Sequence, residues 1–308
     1  MFNEWLVTLL PYTPRFLVKA FAAPYIAGED IAAAMQVCQE LKAAGFSTTL
    51  DILGEAVHDP AAAQMALGRY LDLMDQIGQH DISRNISIKG TALGLAFDFN
   101  AARENIRKLV AAARERGIFV RLDMENSPYT QVTIDIYREL HREFHNIGIV
   151  LQAYLYRSLE DVKLLASEKA NLRICKGIYQ EPPEIAIQDR EAIRDHYLQM
   201  LEIQLKDGAY TGIATHDLVL IQKAREMIAR LQIPADRYEF QALLGVPILS
   251  TLHHLRDEGH KVRIYVPFGA DWFAYASRRL KENPNLAGYI LKNILKRRGY
   301  ALTDGRKS

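Results

Sequence analysis

Cysteine is nearly missing from the chain: Cys38 and Cys175 are the only two among 308 residues, and they stand far apart in no metal-ligand spacing. That excludes a disulfide framework, a zinc finger and a vicinal redox pair, and it fits a reducing, cytoplasmic setting. Neither sign of charge dominates, since 38 Lys and Arg balance 37 Asp and Glu to a net charge of +1. Such a balance offers no general attraction to nucleic acid or to anionic lipid, so no nucleic-acid partner is expected. No apolar run is long enough to span a bilayer. The N-terminal MFNEWLVTLLPYTPRF places Glu4 ahead of its short apolar stretch and breaks it at Pro11 and Pro14, which argues against stable membrane insertion. An amphipathic helix lying on the body of the protein or on a partner subunit fits better, with contact at a membrane surface as the alternative.

Several catalytic fingerprints are absent too. There is no G-x-G-x-x-G and no G-x-x-x-x-G-K-[ST], which removes a Rossmann unit and a P-loop, and no G-x-S-x-G nucleophile elbow. HREFH, His141 to His145, puts two histidines four apart but departs from H-E-x-x-H and precedes a strand, so it reads as a solvated helix face and no metal site is expected.

What the chain does have is rhythm. Eight short runs are rich in aliphatic and β-branched residues: TTLDILGE (48–55), NISIKG (85–90), IFVRLDME (118–125), IGIVLQAY (147–154), NLRICKGI (171–178), TGIATHD (211–217), YEFQALLG (238–245) and KVRIYVPFG (261–269). Amphipathic stretches fill the gaps, as in AARENIRKLVAAARERG (101–117) and EAIRDHYLQMLEIQLKDG (191–208). Eight strand–helix units predict an α/β fold, a (β/α)8 barrel over residues 48–295. An N-terminal helical segment (1–47) precedes it and a basic tail (296–308) follows.

In a barrel, alternate residues of a strand point inward, and chemistry gathers at the C-terminal ends of the strands. Arg121, Asp123 and Glu125 share one face of the third run, with Val120, Leu122 and Met124 on the other. Asp51, Leu53 and Glu55 share a face of the first; the second ends on Ser87 and Lys89, and the fourth on Gln152. Arg173, Thr215, Glu239 and Gln241 lie on the fifth to seventh. Buried ion pairs of purely architectural use account for any one of these positions. As a set, so many inward charges of both signs suggest a polar ligand or cofactor.

The last run leads into YVPFGADWFAYASRRLKENP (265–284). On a helix beginning there, Tyr275 lies three residues before Arg278 and four before Arg279, and Glu282 follows them by four and three, so one face carries an aromatic ring, two guanidinium groups and a carboxylate. By itself this is either an exposed ion-paired helix or a grip for a carboxylate.

KGIYQEP, ATHD, YEFQALLG and above all YVPFGADWFAYASRRLKENP resemble motifs of the proline dehydrogenase family, and DILGE, SIKGTALG, VRLDMENSP and LQAYLYR follow in the same order. The resemblance covers residues 25–295 and implies an FAD-dependent barrel that oxidises L-proline to Δ1-pyrroline-5-carboxylate and passes electrons to a membrane quinone. It is similar to the stand-alone enzyme and not to the form fused to an aldehyde dehydrogenase, so a separate pyrroline-5-carboxylate dehydrogenase is an expected downstream partner. Quinone use implies a peripheral encounter with the inner face of the membrane.

By the same resemblance, Arg278, Arg279 and Lys89 bind the substrate carboxylate, Tyr275 packs on the ring, Glu55 pairs with the first arginine, and Glu282 holds the guanidinium planes. Asp123 and Arg173 are the expected catalytic residues, Arg173 close to flavin N5 and Asp123 orienting Lys89. Met124, Gln152, Lys176, Gly177, Ile178, Thr215 and His216 match cofactor-contact positions, with Gly177 giving the backbone close approach to FAD. Leu244 and Gln180 depart from the family pattern, and bear on ring-size preference and cofactor contacts. A flavin barrel of the methylenetetrahydrofolate reductase type and a non-catalytic ligand-binding barrel are the competing readings; proline turnover and a flavin spectrum separate them.

Overall fold

The computed structural model describes residues 23–273 and Tyr275, apart from Glu55, Gly208 and Ala209. Eight parallel strands close into a barrel in chain order. They are β1 (Ser47–Ile52), β2 (Asn85–Ile88), β3 (Phe119–Leu122), β4 (Ile147–Gln152), β5 (Leu172–Cys175), β6 (Thr211–Ala214), β7 (Tyr238–Leu243) and β8 (Val262–Phe268). Each lies inside the run that predicts it, except that β1 begins one residue early, at Ser47; β1 closes the barrel against β8 from Ser47↔Arg263 to Ile52↔Phe268.

Helix α1 (Ile31–Ala43) precedes the barrel, and α2 (Pro60–Gln79), α3 (Phe99–Glu115), α4 (Thr130–His141), α5 (Ser158–Ser167), α6 (Arg190–Lys206), α7 (Leu218–Leu231) and α8 (Leu249–Asp257) follow β1 to β7 in turn. Aspartate starts several of them. Asp30, Asp59, Asp98, Asp189 and Asp217 each accept a hydrogen bond from a backbone N–H in the first turn, at 2.8 to 3.1 Å. A side-chain cap of this kind stabilises a helix by about 1 kcal/mol, because it satisfies a donor that has no partner inside the helix. The expected amphipathic helix at the N-terminus and the basic tail lie outside the described residues.

Alternation sorts the strands into two surfaces. Leu50, Ile86, Ile88, Val120, Leu122, Ile149, Leu151, Leu172, Ile174, Phe240, Ile264 and Val266 are buried in one continuous apolar core with the helices. The other surface fills the barrel with polar groups: Asp51, Ser87, Arg121, Arg173, Glu239, Gln241 and Arg263 are all buried. These side chains are long, and glycines make room for them. Gly148 stands in register with Arg121, and a Cβ there would come within 2.4 Å of Arg121 Nη1 and 2.7 Å of the Asn171 carbonyl oxygen. Arg121 reaches across that gap to β5, donating to the Ile149 carbonyl at 3.0 Å, the Asn171 carbonyl at 2.6 Å and the Asn171 side chain at 2.5 Å. Burial, and then the nearby Arg173 charge, pull the Arg121 guanidinium down to about 9.

The third run departs from the expectation at its end. Glu125 does not join Arg121 and Asp123 inside the barrel: its carboxylate accepts from the Thr91 N–H at 3.0 Å and the Thr91 hydroxyl at 2.5 Å, fastening the loop after β2. Past the end of β3 the pleat no longer dictates direction, and the nearest unsatisfied donors decide it.

Replacing Gly148 with Ala should lower unfolding stability by about 1–3 kcal/mol, because the clash includes a backbone oxygen that cannot swing aside. A shift of the urea midpoint to lower concentration, at constant slope, measures it.

Candidate active site

The inward groups of the strands form a connected polar column. Near its base, Arg263 Nη1 donates to the Thr48 carbonyl at 2.6 Å and its Nε to Glu239 Oε1 at 2.7 Å. Gln241 Nε2 donates to the same Glu239 oxygen at 2.7 Å, and Gln241 Oε1 accepts from Arg173 Nε at 2.6 Å. Burial pushes the Glu239 carboxyl up, but the charge and hydrogen bond of Arg263, with the Lys261 charge and the Gln241 hydrogen bond, together outweigh it and bring it to about 2. Glu239 is therefore an anion at the heart of the barrel.

Higher up, Arg173 Nη1 meets Asp123 Oδ1 at 2.8 Å. Ser87 Oγ donates to the same oxygen at 3.1 Å, and the Tyr265 hydroxyl donates to Oδ2 at 2.8 Å. The Tyr265 ring lies 5.3 Å below the Arg173 guanidinium carbon, a cation–π contact. Burial, with Asp123 and Asp51 close by, raises the Tyr265 phenol well above its usual value, so it stays a donor. Lys89 Nζ lies 2.6 Å from Asp51 Oδ1. Its burial works against the ammonium, but Asp51 and Asp123 outweigh that and hold it above the usual lysine range.

Lys89 is thus held by Asp51, whereas Asp123 holds Arg173; the expectation that Asp123 directly orients Lys89 is corrected. Register alone does not decide this, because continuing the β2–β3 pairing brings Lys89 level with Asp123 as well; the partners are set by which cation reaches each carboxylate. Asp51 and Ser87 are neighbours across β1 and β2, and Lys89 continues the inward face two residues beyond Ser87. Asp123 is drawn to the cation opposite it on β5.

Around the rim, Lys176 pairs with Asp217, which also accepts from Arg194 Nε at 2.7 Å. The two cations outweigh burial and hold the Asp217 carboxyl at about 2. Thr215 Oγ1 accepts from the Asp217 N–H at 3.1 Å. His216 Nε2 accepts the Leu243 N–H at 3.0 Å, which leaves that nitrogen unprotonated. Met124 and Thr215 are buried, while Ile178 is 39 % exposed. Gly177 has φ +108, and a Cβ there would lie 2.1 Å from the Tyr154 ring. In this structure it is Tyr154 that occupies the space the glycine leaves.

Tyr275 is buried; Glu55, Arg278, Arg279 and Glu282 lie outside the described residues. Alternation along β8 could have singled out Arg263 and Tyr265 beside Tyr275. Arg194, near the start of a charged helix, carries no sequence signal. A shallow surface depression lined by Gln222, Arg225, Gln232 and His260 among others contains none of these residues. Among the described residues no three His, Cys, Asp or Glu side chains gather as a metal site.

The model of the proline dehydrogenase family matches residues 34–290. The chain belongs to that family. Proline dehydrogenase 1 of Bacillus subtilis is 34 % identical over 94 % of this chain and 96 % of its own length. The Deinococcus radiodurans proline dehydrogenase is 36 % identical over 89 % and 90 %. Among solved structures, proline utilization A from Bdellovibrio bacteriovorus, inactivated by N-propargylglycine, superimposes with a TM-score of 0.79 at 25 % identity. That match covers 91 % of this chain and 34 % of that one, so the shared part is the barrel.

The rim suits the flavin that proline dehydrogenases generally use. Gln152 is 2 % exposed and its Oε1 has no hydrogen-bond partner among the described residues. An acceptor buried this way costs on the order of 1–3 kcal/mol unless something donates to it, and a ring N–H of a bound cofactor is such a donor. Lys176 at the same rim is a cation that would meet an anionic portion of such a cofactor.

Asp217→Asn keeps a helix-capping side chain but loses the charge that Lys176 and Arg194 share. Because the folded-state pKa is depressed, the carboxylate stabilises the fold above the unfolded value and ceases to do so as pH falls through the folded one. The wild type should therefore exceed the variant by about 2 kcal/mol at pH 7. That margin should shrink between the unfolded value of 3.8 and the folded value of about 2. Urea melts at a series of pH values read the margin.

Proposed function

We propose that this barrel oxidises L-proline to Δ1-pyrroline-5-carboxylate with FAD as its bound cofactor and a membrane quinone as electron acceptor. The observation that carries the proposal is a pair of cations in a proline dehydrogenase barrel, half-buried Lys89 on Asp51 just past the end of β2 and buried Arg173 on Asp123. Substrate and cofactor both offer negative charge to such a site.

Lys89, kept protonated by its acidic neighbours, binds the proline carboxylate. By motif, Arg278 and Arg279 complete the clamp, with Glu55 and Glu282 holding their planes and Tyr275 bounding the ring. Charge-assisted hydrogen bonds of this kind contribute about 1.5–3 kcal/mol each. The same cations disfavour a second positive charge on the substrate, so proline is held with its amine neutral and its nitrogen lone pair free to assist loss of hydride from C5. FAD, when bound, supplies the hydride acceptor. Arg173 keeps a positive charge fixed at the reacting centre, and a charge already in place costs no reorganisation during reaction. Both oxygens of Asp123 already accept hydrogen bonds from Arg173, Ser87 and Tyr265, which fits a carboxylate that holds Arg173 and not one that takes a proton.

Gln152, Lys176, Thr215 and His216, with Met124, Gly177 and Ile178, are the residues that would hold FAD. Among the described residues no helix is long and apolar enough to cross a membrane, so quinone is expected to be met at the membrane surface from the cytoplasm. A separate pyrroline-5-carboxylate dehydrogenase would consume the product.

Anaerobic addition of L-proline to the flavin-loaded protein should bleach the oxidised flavin band and yield pyrroline carboxylate; an unchanged spectrum counts against the proposal. Asp123→Asn should lower kcat by about 10- to 100-fold, the worth of a charged hydrogen bond. Steady-state rates across pH provide the check, and full activity with an unshifted profile would remove Asp123 from the site.

A further inference from the structure

Arg173 has a second support besides Asp123, and it comes from the opposite side of the barrel. Gly212 on β6 stands in register between Arg173 on β5 and Glu239 on β7. Having no side chain, it leaves a gap in the inward row. The carboxamide of Gln241 lies in that gap: a Cβ on Gly212 would come within 2.6 Å of Gln241 Nε2 and 3.0 Å of its Cδ.

Both ends of the amide are engaged. Nε2 donates to Glu239 Oε1 at 2.7 Å, so Oε1 must face the other way, where it accepts from Arg173 Nε at 2.6 Å. Reversing the amide would bring its NH2 against a guanidinium and its carbonyl against a carboxylate, two repulsive contacts in place of two attractive ones. The anion that sets the orientation is anchored in turn by Arg263 at 2.7 Å. Gln241, Glu239 and Arg173 are all at least nine-tenths buried, so water does not compete for these bonds.

We infer that Gln241, oriented by Glu239 and given its space by Gly212, is a positioning residue that fixes the Nε edge of Arg173 while Asp123 fixes an Nη. Asp123 and Ser87 hold the Nη1 side and the Tyr265 ring one face, so Gln241 adds the contact on the Nε edge that completes the fixing of the guanidinium plane. The inference rests on the reading of Arg173 under the proposed function, and concerns what aims that residue.

Two variants of the flavin-loaded full-length protein test it. Gly212→Ala displaces the carboxamide by steric contact with a side-chain tip and not with backbone, so the variant should fold, with its unfolding midpoint lowered by the loss of the two buried hydrogen bonds. Gln241→Met keeps the length and removes both hydrogen bonds. Each should lower kcat for proline by about 10- to 100-fold, from the loss of a charged hydrogen bond, while KM changes by less than about threefold. The ¹⁵Nε–¹H resonance of Arg173, assigned by its disappearance in Arg173→Lys, should exchange slowly with solvent in the wild type and shift and exchange faster in both variants. An unchanged Arg173 signal in Gly212→Ala and Gln241→Met overturns the inference, whatever happens to kcat. A shifted signal with wild-type kcat upholds the support of Arg173 and instead sinks the assignment of Arg173 to the reacting centre.

Discussion

Closing eight strands into a barrel takes the inward side chains out of water, and here many of them carry charge. Each ion moved from water to such an interior costs several kcal/mol unless an opposite charge and further hydrogen bonds meet it. The column supplies these contacts in steps: Arg263 with Glu239, Arg173 with Asp123, Lys89 with Asp51. Every pair joins different strands, so each forms only when those strands come together: Arg263 and Glu239 on β8 and β7, Lys89 and Asp51 beside β2 and β1, Arg173 and Asp123 across from β5 to the end of β3. The dependence runs the other way as well. A one-residue slip of any strand would turn its charges onto the apolar helix layer, and the ion pairs therefore help to specify the register that creates them.

Arg121 shows what happens where no carboxylate is at hand. It spends its donors on two backbone carbonyls and an asparagine oxygen, and close to Arg173 its guanidinium is less basic than usual. Its donors end at Asn171, the residue before β5, so this charge lies toward the N-terminal end of that strand, away from the ion pairs of Lys89 and Arg173. Supports on several sides leave these charges little freedom, and a rigid positive field suits the binding of an anionic substrate and the receipt of negative charge during reaction.

Aspartates at the rim serve two purposes at once. Asp217 caps α7 and clamps Lys176 and Arg194, which ties the position of a rim lysine to the start of a helix. Glu181 acts likewise across the rim, accepting from the Ser127 N–H and hydroxyl at 2.7 Å each and joining the loops after β3 and β5. The functional face is built from loops, but these loops are fastened to one another by carboxylates.

The sequence by itself determined the strands, the helices between them and the polar positions that face inward, because periodicities of two and of 3.6 are local properties of the chain. Strand alternation was enough to put Lys89, Asp123 and Gln152 toward the ends of their strands and Arg173 within the fifth. Partner choice was not legible. That Lys89 takes Asp51 and not Asp123, that Glu125 turns away to Thr91, and that Gly148 and Gly212 leave gaps for Arg121 and Gln241 all depend on interstrand register and on how far a side chain reaches across its neighbour. Those distances exist only in the closed barrel, where electrostatics selects among carboxylates that the linear chain leaves equivalent.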